Sequence, residues 1–74
     1  MRPAVRVAVL GTGPWGRNHV RALHREPAAE VALVCDPDAD ARRAAQALAP
    51  RARAVAAWQE AVSDPSIDAV IVAT

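Results

Sequence analysis

With 74 residues the chain has room for at most one domain, and it is small even for that. Hydrophobic residues make up 53% of it, which argues against disorder, although the absence of Phe and Tyr leaves bulky core material scarce. A net charge of +1 gives no electrostatic case for nucleic acid or a membrane surface, and no apolar stretch approaches the roughly 20 residues of a membrane span.

The N-terminal MRPAVRVAVLG has one early arginine and passes directly into a strand-like run, so no signal peptide is read there. Val5, Val7 and Val9 alternate with Arg6, Ala8 and Leu10, and both faces are apolar after Arg6, as in a strand covered on both sides. Three glycines follow. Pro14 suits a first helical turn, where its missing N–H is no loss, and Gly16, Val20 and Leu23 then share one helical face up to a stop at Pro27.

Glu30 to Cys35 reads as a second strand, and DPDAD after it supplies acidic caps for a second helix. Ala41, Ala44, Ala45 and Leu48 form the inner stripe of that helix, with Arg42, Arg43 and Gln46 expected to point away and Pro50 stopping it. RARAV is a short third strand. Trp58, Ala61 and Val62 mark one face of a short third helix closed at Asp64-Pro65, and DAVIVAT is the fourth strand. The order βαβαβαβ implies an α/β fold, a partial doubly wound parallel sheet of Rossmann type with strand order 3-2-1-4. The first two helices then share one face and the third covers the other. A single short helix there is expected to leave the outer faces of VAVL and AVIVA exposed, which predicts low stability and self-association.

Gly11, Gly13 and Gly16 are spaced G-x-G-x-x-G between a strand and a helix, a context that gives a weak motif weight. Gly11 allows the tight turn, Gly13 lets a pyrophosphate approach the backbone, and Gly16 lets the helix pack close to the sheet, while the helix N-terminus offers free N–H groups to phosphate. Asp36 ends the second strand twenty positions after Gly16, where a dinucleotide fold places an acid for the ribose hydroxyls. The competing role for Asp36 is a helix cap, which Asp38 or Asp40 could fill equally well. Its carboxylate favours NAD over NADP, because a 2′-phosphate would bring a second negative charge; Arg42 and Arg43 are expected to lie too far outward to neutralise it.

Cys35 is the one cysteine, which rules out an internal disulfide and fits a reduced, cytoplasmic compartment. No His, Cys, Asp and Glu set has metal-ligand spacing. His19 shares a helical face with Trp15 and Ala22 and is expected to pack against the sheet or a further domain, while His24 is expected to be solvated. Trp15 is expected to act through its backbone N–H in the turn, and Arg17 to be solvated rather than phosphate-bound. Ser63 has no base beside it, and SDPS reads as a turn.

The stretches VAVLGTGPWGRNHVRAL, VALVCDPDADARRAAQALA and AVSDPSIDAVIVAT together resemble the opening of Gfo/Idh/MocA-type oxidoreductases, the glucose–fructose oxidoreductase and inositol dehydrogenase group. The resemblance covers essentially the whole chain. It implies that Gly11, Thr12, Gly13, Pro14, Trp15 and Gly16 bind the pyrophosphate, that Asp36 binds the adenosine ribose, and that Ala73 and Thr74 line the cofactor cleft. It also implies an NAD(P)-dependent hydride transfer at a sugar or polyol substrate, performed by a longer protein with a separate substrate domain. The catalytic lysine of such enzymes lies in a Glu-Lys-Pro segment, and this chain contains no lysine. Residues 1–74 are therefore expected to be the N-terminal portion of a dinucleotide-binding domain without catalytic residues of its own. The alternative is a nucleotide-binding or redox-sensing Rossmann module without chemistry.

Overall fold

Seven elements alternate along residues 3–74, which the computed structural model describes: β1 (Val5–Leu10), α1 (Pro14–His24), β2 (Ala29–Cys35), α2 (Ala39–Leu48), β3 (Arg53–Val55), α3 (Trp58–Val62) and β4 (Ala69–Val72). Met1 and Arg2, the start of the stretch read as lacking a signal peptide, lie outside the described residues. The strands form one sheet in the order β3-β2-β1-β4, with every neighbouring pair parallel. This is the expected α/β topology. It places a topological switch between β1 and β4, where open α/β sheets bind ligands beyond the carboxyl ends of their strands.

Two apolar layers sandwich the sheet. Val7, Val9, Val31 and Val34 pack with Val20 of α1 and Ala45 of α2 on one face, joined by the partly buried Leu23, Leu48 and Ile71. Ala8, Leu10, Leu33, Cys35 and Val55 pack with Ala61 of α3 on the other, beside Ile67. Val31 and Val34 share a face although they are three apart, because the β1–β2 register shifts between Val7 and Ala8 and leaves Ala32 without an opposite residue. A bulge of this kind switches the side-chain alternation of its strand. Strict period-two reading of β2 could not have shown it.

The expected exposure of VAVL is corrected here. Ala8 is fully buried and Leu10 is 8% exposed, so α3 and Ile67 suffice to cover β1. The apolar residues left open lie on β4, where Val70 and Val72 are exposed. They pair with Ala8 and Leu10 and so carry on the α3 face beyond the reach of that helix. Within α3 only Ala61 is buried; Trp58 and Val62, expected to share its inward face, are exposed. Five residues give little more than one turn, and one turn presents one residue fully to the sheet.

Arg6 joins three segments at the far end of the sheet. Its backbone N–H donates to the Asp68 carboxylate at 2.9 Å, its Nε to the Ser66 carbonyl at 3.1 Å, and its Nη1 to Glu30 at 3.0 Å. The Asp68 N–H returns a 2.8 Å bond to the Arg6 carbonyl, which starts the β1–β4 pairing.

Candidate functional site

At the carboxyl edge the ladder continues past the strands. The Gly11 N–H donates to the Cys35 carbonyl at 2.8 Å, Asp36 N–H to Val55 at 3.1 Å, and Ala73 N–H to Leu10 at 2.8 Å. These bonds line up the ends of β4, β1, β2 and β3 side by side. A cleft of about 540 Å3 opens along them, lined by Gly11, Gly13, Cys35, Asp36, Trp58 and Thr74 among others. A second cleft of about 670 Å3 lies at the opposite end of the strands, beside His24, Glu26, Glu30 and Arg51, and holds none of the motif residues.

The three glycines have three different reasons to be glycine. Gly11 has φ +91°, the left-handed region, and is the one positive-φ residue among those described; an added Cβ would lie 3.0 Å from the Ala73 backbone. At Gly16 an added Cβ would lie 2.7 Å from the Gly11 carbonyl carbon and closer still to its oxygen. The close approach expected of Gly16 is thus to the turn itself rather than to the sheet. At Gly13 an added Cβ meets nothing within 4 Å. That glycine leaves open space above the backbone.

Gly13 is also the N-cap of α1, and no side chain caps this end. Pro14 has no N–H, so the Trp15 and Gly16 N–H groups have no partner within the helix and face outward. No acidic residue stands in the first turn to offset the positive end of the helix dipole. The arrangement is a set of backbone donors before an open space, suited to an anion.

Asp36 faces this turn from the end of β2. Its Oδ2 accepts from the Thr12 N–H at 2.8 Å and its Oδ1 from the Asp38 N–H at 2.9 Å. The cap of α2 is Asp38, whose carboxylate accepts from Asp40 N–H at 3.0 Å, so the capping alternative for Asp36 does not hold. Partial burial works against the charge on Asp36, but the N–H bonds from Thr12 and Asp38, with smaller help from the Thr12 hydroxyl and Arg42, hold its pKa below the usual value. The Thr12 hydroxyl stops short of full hydrogen-bond geometry, and its oxygen is buried with no partner. Each carboxylate oxygen keeps a lone pair for a further donor.

Arg42 departs from expectation. Its Nη1 donates to the Asp36 carbonyl at 2.7 Å and to the Pro37 carbonyl at 3.2 Å, so it folds back over the β2–α2 turn instead of pointing away. Gln46 likewise turns inward and donates to the Ala52 carbonyl at 2.8 Å. Arg43 does lie outward, paired with Asp40. Both departures have one cause: long polar side chains reach carbonyls of the turns that flank α2, which apolar periodicity does not register.

Burial pushes the Cys35 thiol up, and the Asp36 and Glu60 carboxylates push it further, against an opposing pull from Arg42. It stands as a buried wall of the cleft. His19, expected to pack against the sheet or a further domain, does not pack against the sheet and is exposed; His24 and Trp15 are exposed as well, and Arg17 is half-buried. The Trp15 indole is 75% exposed and stands outside the cleft lining, which leaves its backbone N–H as the group aimed at the site. Ala73 and Thr74 line the cleft at the end of β4. Sequence reasoning missed Trp58, read as a packing residue, and Pro37 and Ala56 beside it; all three line the cleft. The signal that could have found them is position, directly after the ends of β2 and β3. No group of three or more His, Cys, Asp or Glu residues among those described could hold a metal ion, and no helix there is long and apolar enough to cross a membrane.

Residues 5–74 match the family model described as the oxidoreductase family, NAD-binding Rossmann fold, GFO_IDH_MocA. An inositol 2-dehydrogenase from Pseudarthrobacter chlorophenolicus is 41% identical over 75 residues, covering 100% of this chain and 22% of that protein. Among solved structures, a myo-inositol dehydrogenase from Lactobacillus casei in complex with NAD(H) and myo-inositol matches at TM-score 0.90 and 36% identity, over 97% of this chain and 22% of that one. The WlbA dehydrogenase from Bordetella pertussis, in complex with NADH and UDP-GlcNAcA, matches at TM-score 0.85 and 27% identity, again over 97% and 22%. The chain thus spans about a fifth of the length of the relatives it matches.

Proposed function

The chain belongs to the Gfo/Idh/MocA oxidoreductases, NAD-binding Rossmann fold, and from that premise we propose that residues 1–74 are the first part of the dinucleotide-binding domain of an NAD-dependent sugar or polyol dehydrogenase. The observation that carries this reading is the pairing of an open space at Gly13 with a carboxylate tied to the same turn. The Gly13, Trp15 and Gly16 N–H groups, facing the open space over Gly13, would hold the pyrophosphate of the cofactor. The Asp36 lone pairs accept the adenosine 2′- and 3′-hydroxyls, and the carboxylate is already ionised and oriented by Thr12 and Asp38. Thr12 and Pro14 shape the turn, and Ala73 and Thr74 close the cleft on the β4 side.

NAD, when bound, supplies the hydride acceptor for oxidation of a secondary alcohol. Such a reaction also needs a group to take the alcohol proton. The titratable side chains of this cleft are Cys35, whose thiol is held protonated, and Asp36, which serves the ribose. The chain has no lysine. The proton acceptor and the substrate contacts therefore belong to other parts of the protein, as does the choice of substrate within the sugar and polyol class. The inositol dehydrogenase relatives support that class over a non-catalytic module. A reducing compartment suits the single buried cysteine.

The direct test is calorimetric titration of the protein with NAD. Saturable binding that is lost in Asp36→Ala supports the reading. Absence of NAD binding by the unmutated protein contradicts it.

A further inference from the structure

Resting on the reading above, in which the chain opens a longer protein, we propose that the flank of α1 formed by Trp15, His19 and Ala22 is a docking seat for a segment of the same polypeptide that follows the dinucleotide-binding domain. At about 3.6 residues per turn, Gly16, Val20 and Leu23 face the sheet, and Arg17 and His24 face α2, where His24 shares the far cleft with Ala49 and Pro50. Trp15, His19 and Ala22 turn the opposite way, toward β4, and all three are exposed. Ala73 at the end of β4 stands at the foot of this flank, its Cβ 3.8 Å from where a Cβ on Gly16 would be. Ala69 and Ile71 precede it on the same face of the strand, Ala69 exposed and Ile71 partly buried at the border of the core. Helix flank and strand thus meet at an open angle that the two alanines are too short to fill.

What lines this angle differs from the solvated side of the helix. Asn18, Arg21 and Arg25 lie outward, with Asn18 and Arg21 bonded to each other at 3.0 Å. The flank instead holds an indole that is 75% exposed, an imidazole and a methyl group. Charge depletion around a tryptophan anchor is the composition of the centre of an interface. Two facts name the occupant. The chain spans about a fifth of the length of its relatives, so most of a protein of that size lies outside it. The connection that leaves β4 does not take the seat: a right-handed crossover to a next parallel strand beyond β4 runs over the α3 face, as the step from β3 to β4 does. The seat lies on the α1 face and is filled by chain that arrives later, from the part that carries the substrate contacts. Trp15 then serves two partners, its N–H facing the open space over Gly13 and its indole the docked segment. One residue sets the substrate part against the cofactor turn.

The test is thiol labelling of the intact protein carrying this chain, with His19→Cys and Ala22→Cys on the seat and Arg21→Cys and Arg25→Cys on the outward side. Each site is read by peptide mass spectrometry after treatment with N-ethylmaleimide. The outward pair should react at the rate of a free thiol, and the pair on the seat about tenfold more slowly or less. A photoreactive p-benzoylphenylalanine in place of Asn18, at the rim of the seat, should cross-link within one polypeptide to a peptide from beyond the dinucleotide-binding domain. Equal labelling at all four sites overturns the seat, as does a cross-link to a second copy or to the connection that follows β4. NAD titration of the same variants keeps the two readings apart. None of these residues belongs to the cofactor site, so NAD affinity should stay within a few-fold of that of the unmutated protein, which also shows that each variant is folded. Protection of the seat in a protein that fails to bind NAD overturns the dinucleotide reading and leaves the seat standing.

Discussion

The Asp36 carboxylate accepts a 2.8 Å hydrogen bond from the Thr12 N–H, so the end of β2 is tied to the turn that follows β1. One bond joins the residue placed to recognise ribose to the loop placed to cradle phosphate. It also makes the geometry of the site dependent on the charge of Asp36.

That dependence has a defined sign. The folded-state pKa of Asp36 is lowered, so its stabilising contribution is fully present above the unfolded value of about 3.9 and is lost as pH falls through the lower folded value. Asp64, held down by the hydroxyl and N–H of Ser66, titrates in the same acid range. Denaturant unfolding between pH 7 and pH 2 should show a flat plateau to about pH 5 and a fall below about pH 4. Asp36→Asn should lower the plateau and flatten the fall without abolishing it. An acid limb identical in Asp36→Asn would show that the carboxylate does not bear on the fold.

Cofactor choice should follow the same carboxylate. A 2′-phosphate about 4 Å from Asp36 would cost on the order of 1 to 4 kcal/mol, which favours NAD over NADP by about fivefold to several hundredfold. Arg42, folded over the Asp36 and Pro37 carbonyls, offsets part of that repulsion and keeps the preference near the lower end. Binding titrations should find a wider gap in Arg42→Ala and a narrower one in Asp36→Ser. Equal NADP and NAD affinity in the unmutated protein would place the carboxylate away from the ribose.

Gly16→Ala should cost about 3 kcal/mol of stability, because its Cβ runs into the Gly11 backbone and neither chain can move aside without breaking the turn. In a domain this small that is a fall in Tm of about ten degrees or more. A thermal melt unchanged by the substitution would contradict the close packing of α1 on the turn.

The open residues of β4 bear on association. Val70 and Val72 continue the α3 face beyond its cover, on an edge strand. The 74-residue chain by itself should self-associate, and Val70→Lys with Val72→Lys should shift it toward monomer in sedimentation velocity. A monomer at all concentrations before mutation would show that this patch is too small to drive contact.

Much of this was legible in the residues. Alternation in Val5–Leu10, the G-x-G-x-x-G spacing and the acid at Asp36 report backbone requirements and burial on both faces, which leave strong local patterns. The bulge at Ala32, the inward fold of Arg42 and Gln46 and the cover of Ala8 by a single turn of helix were not legible. Each depends on where another segment lies in space. The same holds for Trp58: a tryptophan at a helix start reads as core, and only the neighbouring ends of β2 and β3 make it a cleft wall.

The central claim is that Gly13 is glycine to leave room for a phosphate, and Gly13→Ala tests it most directly. The added Cβ meets no atom within 4 Å, and the backbone there has φ −67°, open to any residue. Loss of a favourable cap residue and gain from a stiffer unfolded chain are of similar size, so stability should change by no more than about 1 kcal/mol. NAD affinity, measured by calorimetry on the folded variant, should fall about tenfold or more, because the methyl group stands where the pyrophosphate must come. A folded Gly13→Ala protein that binds NAD as tightly as the unmutated one would contradict the account.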